Sequence, residues 1–297
     1  MLIRKISVFL HATFHTQTVT CKQMNNCMKN KILALLILIV TYSCKSQKSL
    51  DFKITYLPNK EYIQSQNQTF ENVINYFATE EVLKNLRNKG IKIPTIQKDT
   101  SSYIRIFKTE GKIKNRMPLE IKIIKPKKSS NREETVFYGN SINNEIKIDS
   151  ISSKKYSEKI KKSLISSIEK VFNQLKYPDK KLVIGETFEQ STITSMPISD
   201  FKVNIEIVTT YTLKNIRKGI GYFDIQEDFI LRSEVKGVDV KVDGKGNGKV
   251  EYEINNKYFS KYYSKSEMNI NAKIEGFAIN LISKSETNQN TELKASR

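Results

Sequence analysis

The stretch Phe201-Lys-Val-Asn-Ile-Glu-Ile207 decides the fold class, because its apolar residues alternate strictly with polar or charged ones. A period of two places the apolar side chains on one face of a β-strand and the polar ones on the other. The same alternation recurs over residues 238–242 and 250–254. Strands of this kind are typical of antiparallel sheets that cover a core on one side and meet water on the other.

The alternation extends toward the N-terminus, at residues 104–106, 121–123 and 146–148. Between these strands and the later ones, residues 157–175 have a different period. Apolar residues return there every three or four positions, which predicts a helix with one apolar stripe. The stripe consists of Ile160, Leu164, Ile165, Ile168, Val171, Phe172 and Leu175. A shorter helix is expected after Thr79, whose side chain could cap it.

These elements predict an α+β fold. We expect a strongly curved antiparallel sheet, a half-barrel-like meander, packed on the long amphipathic helix and on the shorter one. The β-rich domain is expected to span residues 51–285 in two halves, 51–150 and 180–285, bridged by the helix 157–175. Residues 286–297 are polar and are expected to fray as a tail.

The glycine-rich stretch at residues 243–249 lies between two alternating segments. It differs from a phosphate-binding loop, because Gly244 and Gly248 are too close together and Val250 stands where a serine or threonine is required. It also differs from a dinucleotide-binding loop, since a strand rather than a helix follows it. Glycines between strands commonly supply positive φ angles, so the stretch is interpreted as a hairpin turn.

The N-terminal region has the layout of a secretory signal peptide over residues 28–43. Lys29 and Lys31 precede an uninterrupted apolar run over residues 32–40. That run is too short to span a bilayer as a helix. We therefore expect a chain that is exported from the cytoplasm.

A small residue precedes Cys44, and the pair looks like a bacterial lipobox, in which the cysteine thiol receives a lipid. We expect lipid attachment at Cys44 and a tether over residues 44–50. The alternative is an ordinary signal peptide cut nearby. Residues 1–27 are interpreted as an extension from a gene start assigned too early. Lysines rather than acids follow the cysteine, which favours an outer-membrane lipoprotein on the periplasmic face over one on the cell surface.

Composition excludes several chemistries. The chain has 50 Lys and Arg against 31 Asp and Glu, two His and three Cys, and both His lie before residue 28. A chain processed at Cys44 therefore lacks the imidazole that Ser-His-Asp and Cys-His catalysis require. It also lacks the ligands of Cys/His zinc sites. We expect no enzyme activity, no cofactor, no metal and, since Lys far exceeds Arg, no nucleic-acid partner.

Two groups of residues remain as candidate sites. The acids Asp224, Glu227 and Asp228 could supply a catalytic carboxylate pair or an oxygen-only cation site. The second group is a candidate interaction patch of four aromatic residues, which could stack on sugars or rest at a membrane interface. It consists of Tyr258, Phe259, Tyr262 and Tyr263.

The segment from residue 182 onward resembles an uncharacterised family of Bacteroidota lipoproteins. The resemblance rests on Ile184-Gly-Glu-Thr-Phe188, Tyr211-Thr-Leu-Lys-Asn-Ile216, Gly221-Tyr-Phe-Asp224, Val250-Glu-Tyr-Glu-Ile254 and Ser266-Glu-Met268. It implies an envelope lipoprotein and carries no catalytic residues over. The expected architecture is also similar to the half-barrels of periplasmic lipoprotein carriers.

The leading functional hypothesis is accordingly a module that binds or carries a hydrophobic or amphipathic ligand without acting as an enzyme. A second hypothesis is an accessory lipoprotein that docks an envelope protein at the outer membrane. A third is a carboxylate-dependent hydrolase of envelope glycans.

Overall fold

Alternating apolar and polar residues build a large antiparallel sheet, which confirms that the fold is mostly antiparallel strand. The structure is a computed structural model. It describes residues 48–125, 133–143, 145–153, 156–198, 201–232, 238–274 and 276–296. All of them belong to one compact unit, Gln47–Arg297. The lipidation expected at Cys44 and the processing expected before it lie outside the described residues.

The main sheet has eleven strands, and a small second sheet has two. The small sheet pairs β1 (Ser49–Phe52) with β7 (Lys180–Val183). The strands of the main sheet are β2 (Lys60–Ala78), β3 (Thr95–Thr109), β4 (Arg116–Lys125), β5 (Glu133–Ile142), β6 (Glu145–Ser152), β8 (Thr187–Ile198), β9 (Phe201–Arg217), β10 (Ile220–Leu231), β11 (Asp239–Glu253), β12 (Tyr258–Ile274) and β13 (Phe277–Ala295).

Strand order in the main sheet is β6-β5-β4-β3-β2-β13-β12-β11-β10-β9-β8. Nearly every strand therefore pairs with its neighbours in sequence, as a meander does. The exception is the pair β2–β13, which joins the two sequence halves from Lys60↔Ala295 to Ala78↔Phe277. The sheet is open, with β6 and β8 as its edges.

Two expected boundaries are wrong. The polar segment 286–297 was expected to fray, but its residues as far as Ala295 belong to β13 and pair with β2 along their length. The expected tether over 44–50 ends too late, because Ser49 and Leu50 are in β1. Leu50 is buried in an apolar cluster, and burial of this side chain holds the end of the segment in place.

The expected hairpin turn at residues 243–249 is also wrong, because the stretch lies inside β11. Gly244, Gly246 and Gly248 are not among the positive-φ residues, and the strand pairs with β10 and β12 on its two sides. A hairpin of the expected geometry occurs elsewhere. Lys218 and Gly219, with φ of 52° and 78°, connect β9 to β10. A two-residue turn with both φ angles positive matches the twist of the strands it joins.

The described residues contain two helices, α1 (Glu80–Asn88) and α2 (Glu158–Gln174). Thr79 is the N-cap residue of α1, but its side chain makes no capping hydrogen bond. The Ser157 side chain does cap α2, by accepting a hydrogen bond from the Ile160 amide. In the part of the chain described, no helix is long and apolar enough to cross a membrane.

Four side chains of the expected apolar stripe of α2 pack on the sheet: Leu164, Ile165, Ile168 and Phe172. Ile160, Val171 and Leu175 are instead 40–51% exposed. Two polar residues of α2 reach the free edge of β6. Asn173 exchanges two hydrogen bonds of 3.0 Å with the backbone of Ile146. The Glu169 carboxylate accepts one of 2.7 Å from the Ile148 amide.

Three buried clusters hold the sheet together. The first is rich in aromatic residues and includes Phe52, Phe188 and Tyr252. The second lies under α2 and includes Phe107, Ile121 and Phe137. The third is aliphatic and lies around Ile205 and Ile270. Burial of apolar surface in such clusters is the main favourable contribution to folding.

Candidate functional site

A cavity of about 640 Å³ lies on the inner face of the main sheet. Its floor is formed by side chains of β2, β3, β8, β9, β10, β12 and β13, and residues 54–56, Phe172, Leu175 and Tyr177 also line it. Seven strand spacings separate β3 from β8 in the sheet. A flat sheet would hold these strands about 34 Å apart. Because both line the same cavity, the sheet bends around it.

Aromatic rings form one wall of the cavity. Tyr56 is stacked on Phe107, with ring centroids 3.9 Å apart. Tyr211 is stacked between Phe188 at 4.7 Å and Phe259 at 5.8 Å. Burial raises the pKa of the Tyr56 and Tyr211 phenols above their ordinary value. These rings present flat apolar surface with a few hydroxyl groups.

The middle of the floor is polar. Five of the six consecutive strands from β8 to β13 each place one polar side chain in register there: Gln190, Thr209, Glu227, Ser266 and Ser285. We call these residues the polar row. The Ser266 and Ser285 hydroxyls are 2.8 Å apart. Such groups need hydrogen-bond partners when a ligand removes them from water.

The glycine-rich part of β11 interrupts the polar row, with Gly246 in register between Glu227 and Ser266. A Cβ at Gly246 would lie 2.4 Å from Glu227 Oε2, and one at Gly248 would lie 1.9 Å from the Tyr263 carbonyl oxygen. The absence of side chains therefore lets β11 approach its neighbours closely. It also leaves the floor of the cavity open along β11, where Gly246 lies directly between Glu227 and Ser266 in the register.

Glu227 is the one carboxylate among the described residues that line the cavity. It is only 8% exposed, and its Oε1 accepts a hydrogen bond of 2.9 Å from the Tyr262 hydroxyl. Burial raises the pKa of the Glu227 carboxyl, and the hydrogen bond from Tyr262 partly offsets that effect. At a given pH, Glu227 is therefore neutral in a larger fraction of molecules than an exposed glutamate would be.

The predicted acidic cluster does not form one site. Along β10, Glu227 points into the cavity, whereas Asp224 and Asp228 are on the opposite, outer face. Asp224 lies 3.8 Å from the Lys214 ammonium there. In the described ranges, no group of three His, Cys, Asp or Glu side chains could hold a metal ion.

Arg105 supplies a cation at the other side of the floor. Its Nη1 donates a hydrogen bond of 2.7 Å to Gln64 Oε1. Its guanidinium carbon lies 5.4 Å from the centre of the Tyr103 ring and 6.0 Å from that of Phe172. Rings at these distances favour a cation between them. Among the described residues, no carboxylate forms an ion pair with Arg105.

The four residues of the predicted aromatic patch are divided between different surroundings. Tyr258, Phe259 and Tyr262 line the cavity, and burial raises the pKa of the Tyr262 phenol. Tyr263 is the next residue along β12 and is not part of the cavity lining. The aromatic residues therefore contribute to an inner wall, and none of the four is fully exposed.

No family model matches this chain, and no curated protein matches it. The geometry of the cavity is therefore the basis for assigning a function.

The sequence points to Glu227 but not to Arg105 or to the functional role of the other polar-row residues. In β2, Gln64, Gln66 and Gln68 repeat at the strand period and therefore share one face. The sequence alone does not tell whether that face lines a cavity or meets solvent.

Proposed function

We propose that this protein is a non-enzymatic binding module that holds an amphipathic ligand in the cavity. The ligand would place its apolar part against the aromatic wall and its polar part on the polar row. The observation that carries this proposal is the contrast within one cavity, where stacked rings such as Tyr211 and Phe259 adjoin Glu227 and Ser266.

The polar row favours an amphipathic ligand over a purely apolar one. A hydrocarbon lying over Glu227 and Gln190 would remove these groups from water and offer them no hydrogen bond. That loss costs about 1–3 kcal/mol for each group. A ligand with hydroxyl, amide or charged groups at one end avoids the cost, and its apolar end still gains about 25 cal/mol for each Å² buried.

The curved sheet and the cover over it support a container of the half-barrel kind. Phe172 of α2, together with Leu175 and Tyr177, lines the cavity beside the strands of the sheet. A ligand of the proposed type would be enclosed between this cover and the floor. Enclosure of most of a ligand's surface is what small-molecule sites generally achieve.

The two other hypotheses have less support. A glycan hydrolase of the common kind needs two carboxylates within about 5–10 Å of each other. In the described lining, Glu227 has no second carboxylate beside it. Docking of an envelope protein was suggested by the aromatic patch, and three of its four residues line the cavity instead.

Filling the cavity tests the proposal. Ser285→Phe places a ring on the floor, and it should weaken binding of the neutral fluorescent probe N-phenyl-1-naphthylamine by at least about tenfold, because the ring occupies the space the probe needs. Probe fluorescence is titrated with the full chain, purified without detergent, and thermal unfolding of each variant checks the fold.

Lys284→Phe is the matched control, because Lys284 is the preceding residue of β13 and lies on the outer face, 3.4 Å from Glu267. It should leave probe binding unchanged. Equal binding by both variants would place the probe elsewhere, and absence of probe binding by the unmodified chain would contradict the proposal.

We also propose that the protein is an outer-membrane lipoprotein attached through Cys44, facing the periplasm. The support is the order of the lysines 29 and 31, the apolar run 32–40 and the cysteine, together with the resemblance to Bacteroidota lipoproteins. A lipid on Cys44 is compatible with a ligand cavity in the folded domain, because β1 begins at Ser49, shortly after the cysteine.

Cys44→Ala should then move the protein from the detergent phase to the aqueous phase of a cloud-point extraction, since the lipid supplies the membrane affinity. Ser46→Ala is the control, because it changes a retained residue beside the cysteine without removing the thiol, and it should leave the distribution unchanged. An unmodified chain found entirely in the aqueous phase would contradict the attachment.

A further inference from the structure

We infer that the ligand carries an acidic headgroup, a carboxylate or a phosphate, and that Arg105 binds it. This inference rests on the proposed function, since it concerns the ligand of the same cavity. It adds the chemical class of the headgroup and the residue that selects it.

Arg105 has hydrogen-bonding capacity that the described residues do not use. A guanidinium has five N–H donors. One of them is donated to Gln64 Oε1 at 2.7 Å, and a second contact is made with the Tyr103 hydroxyl. The remaining donors are available to an acceptor in the cavity. A planar guanidinium binds carboxylate and phosphate oxygens through two parallel hydrogen bonds, which makes it selective for these groups.

The surroundings of Arg105 strengthen such a pair. The Tyr103 and Phe172 rings flank the guanidinium and limit its contact with water. A charge pair gains more free energy where water is partly excluded than at an open surface. Gln64 fixes the orientation of the guanidinium, so less conformational entropy is lost when a ligand binds.

A second observation points to the same place. Thr291 pairs with Gln64 in the register of β13 and β2, and Gln64 pairs with Arg105 in the register of β2 and β3. The Thr291 hydroxyl is buried and has no hydrogen-bond partner among the described residues. Unsatisfied buried hydroxyls are uncommon in native proteins. Because this oxygen has almost no accessible surface, a polar group bound beside Gln64 becomes its partner only when the Thr291 side chain turns toward the cavity.

The charge balance of the cavity also favours an acid. Arg105 keeps its charge at every physiological pH. Glu227, the one carboxylate of the described lining, is buried and is shifted toward its neutral form. The cavity therefore offers one positive charge, and burial disfavours the ionised form of its one described carboxylate. An anionic headgroup pairs with Arg105, whereas a cationic headgroup is repelled by it.

Four ten-carbon probes that differ only in the headgroup test the inference. Decanoate, decyl phosphate, decanol and decylamine each displace N-phenyl-1-naphthylamine from the full chain. We expect at least one of the two acids to bind about tenfold or more tightly than decanol, which is the effect of one charged hydrogen-bonded contact. Whichever of the two acids binds more tightly shows whether a carboxylate or a phosphate fits the cavity better.

Arg105→Gln should reduce binding of that acid to the level of decanol and leave decanol within about twofold, because only the headgroup contact is lost. Arg105→Lys should keep part of the difference in affinity between the acid and decanol. Lysine keeps the positive charge but cannot donate two parallel hydrogen bonds as a guanidinium does. Arg217→Gln is the control for net charge, because Arg217 is exposed at the turn between β9 and β10. It should leave every affinity unchanged.

Equal affinities for the acids and decanol would overturn the inference and leave the proposed function intact. So would an equal loss of acid binding in Arg217→Gln, because the attraction would then come from net charge. Tightest binding of decylamine would overturn it in favour of Glu227 as the selecting residue. Failure of all four probes and of the dye to bind would contradict the proposed function itself.

Discussion

Phe52→Ala should lower the free energy of unfolding by about 3–5 kcal/mol, the range seen when a fully buried aromatic ring is removed. Phe52 is 0% exposed, although it belongs to a strand of only four residues. Its ring lies within 6.4 Å of five others: Phe188, Tyr252, Phe223, Phe259 and Tyr177. Truncation leaves a cavity among rings that are fixed by the sheet and cannot close it.

Urea unfolding followed by circular dichroism measures this loss. Phe77→Ala is the matched control, since Phe77 is 59% exposed and its truncation should change the stability by no more than about 0.5 kcal/mol. A similar small loss for Phe52→Ala would mean that β1 does not contribute to the core. The comparison therefore tests whether β1, which begins within the expected tether and ends at Phe52, is part of the fold.

Gly248→Ala should destabilise the protein by about 3 kcal/mol, through steric overlap rather than loss of contacts. The added methyl group would lie 1.9 Å from the Tyr263 carbonyl oxygen and 2.9 Å from the Ser264 Cα. Both atoms belong to the backbone of β12, so no side-chain rotation relieves the overlap. The two strands must move apart, which weakens the pairing at the floor of the cavity.

Gly111→Ala is the control, because the nearest atom to its added methyl group is Asn59 Oδ1 at 3.6 Å. That is an ordinary contact distance, and the stability should change by no more than about 0.5 kcal/mol. Chemical denaturation of both variants gives the comparison. A Gly248→Ala protein as stable as the unmodified one would show that β11 and β12 are further apart than described.

The sequence predicts well those strands that have one apolar and one polar face. Residues 201–207 and 250–254 were identified on that basis and lie in β9 and in and just after β11. The main helix, expected over 157–175, spans Glu158–Gln174. In the strands the period of the apolar residues reports which side meets the core, whereas Ile160, Val171 and Leu175 of the expected helical stripe are exposed.

The polar part of β13 that follows Ile282 could not be recognised in this way. In β13, Ser283, Ser285 and Thr287 point into the cavity, and Lys284 and Glu286 point to solvent. Both faces are polar, so no alternation of apolar residues is present. The property that makes the cavity polar is the same one that made this strand look like a tail.

The glycine stretch of β11 could not be interpreted from its sequence for a different reason. Glycine suits a turn because it tolerates positive φ, and it suits a crowded strand because it lacks a side chain. The sequence does not distinguish these uses. Only the positions of Glu227 and of the β12 backbone decide that the second applies.

The hydrogen bonds from Asn173 and Glu169 to β6 have a consequence for how copies of the chain behave toward one another. An uncovered strand at the border of a sheet is a template on which a second chain can add its own strand. Here the backbone of Ile146 and Ile148 is already occupied by side chains of the helix. If α2 unfolds, Asn173 and Glu169 leave the β6 backbone, and the edge of the sheet becomes accessible to another strand. The helix whose Phe172 lines the cavity therefore also protects the β6 edge of the sheet from strand addition.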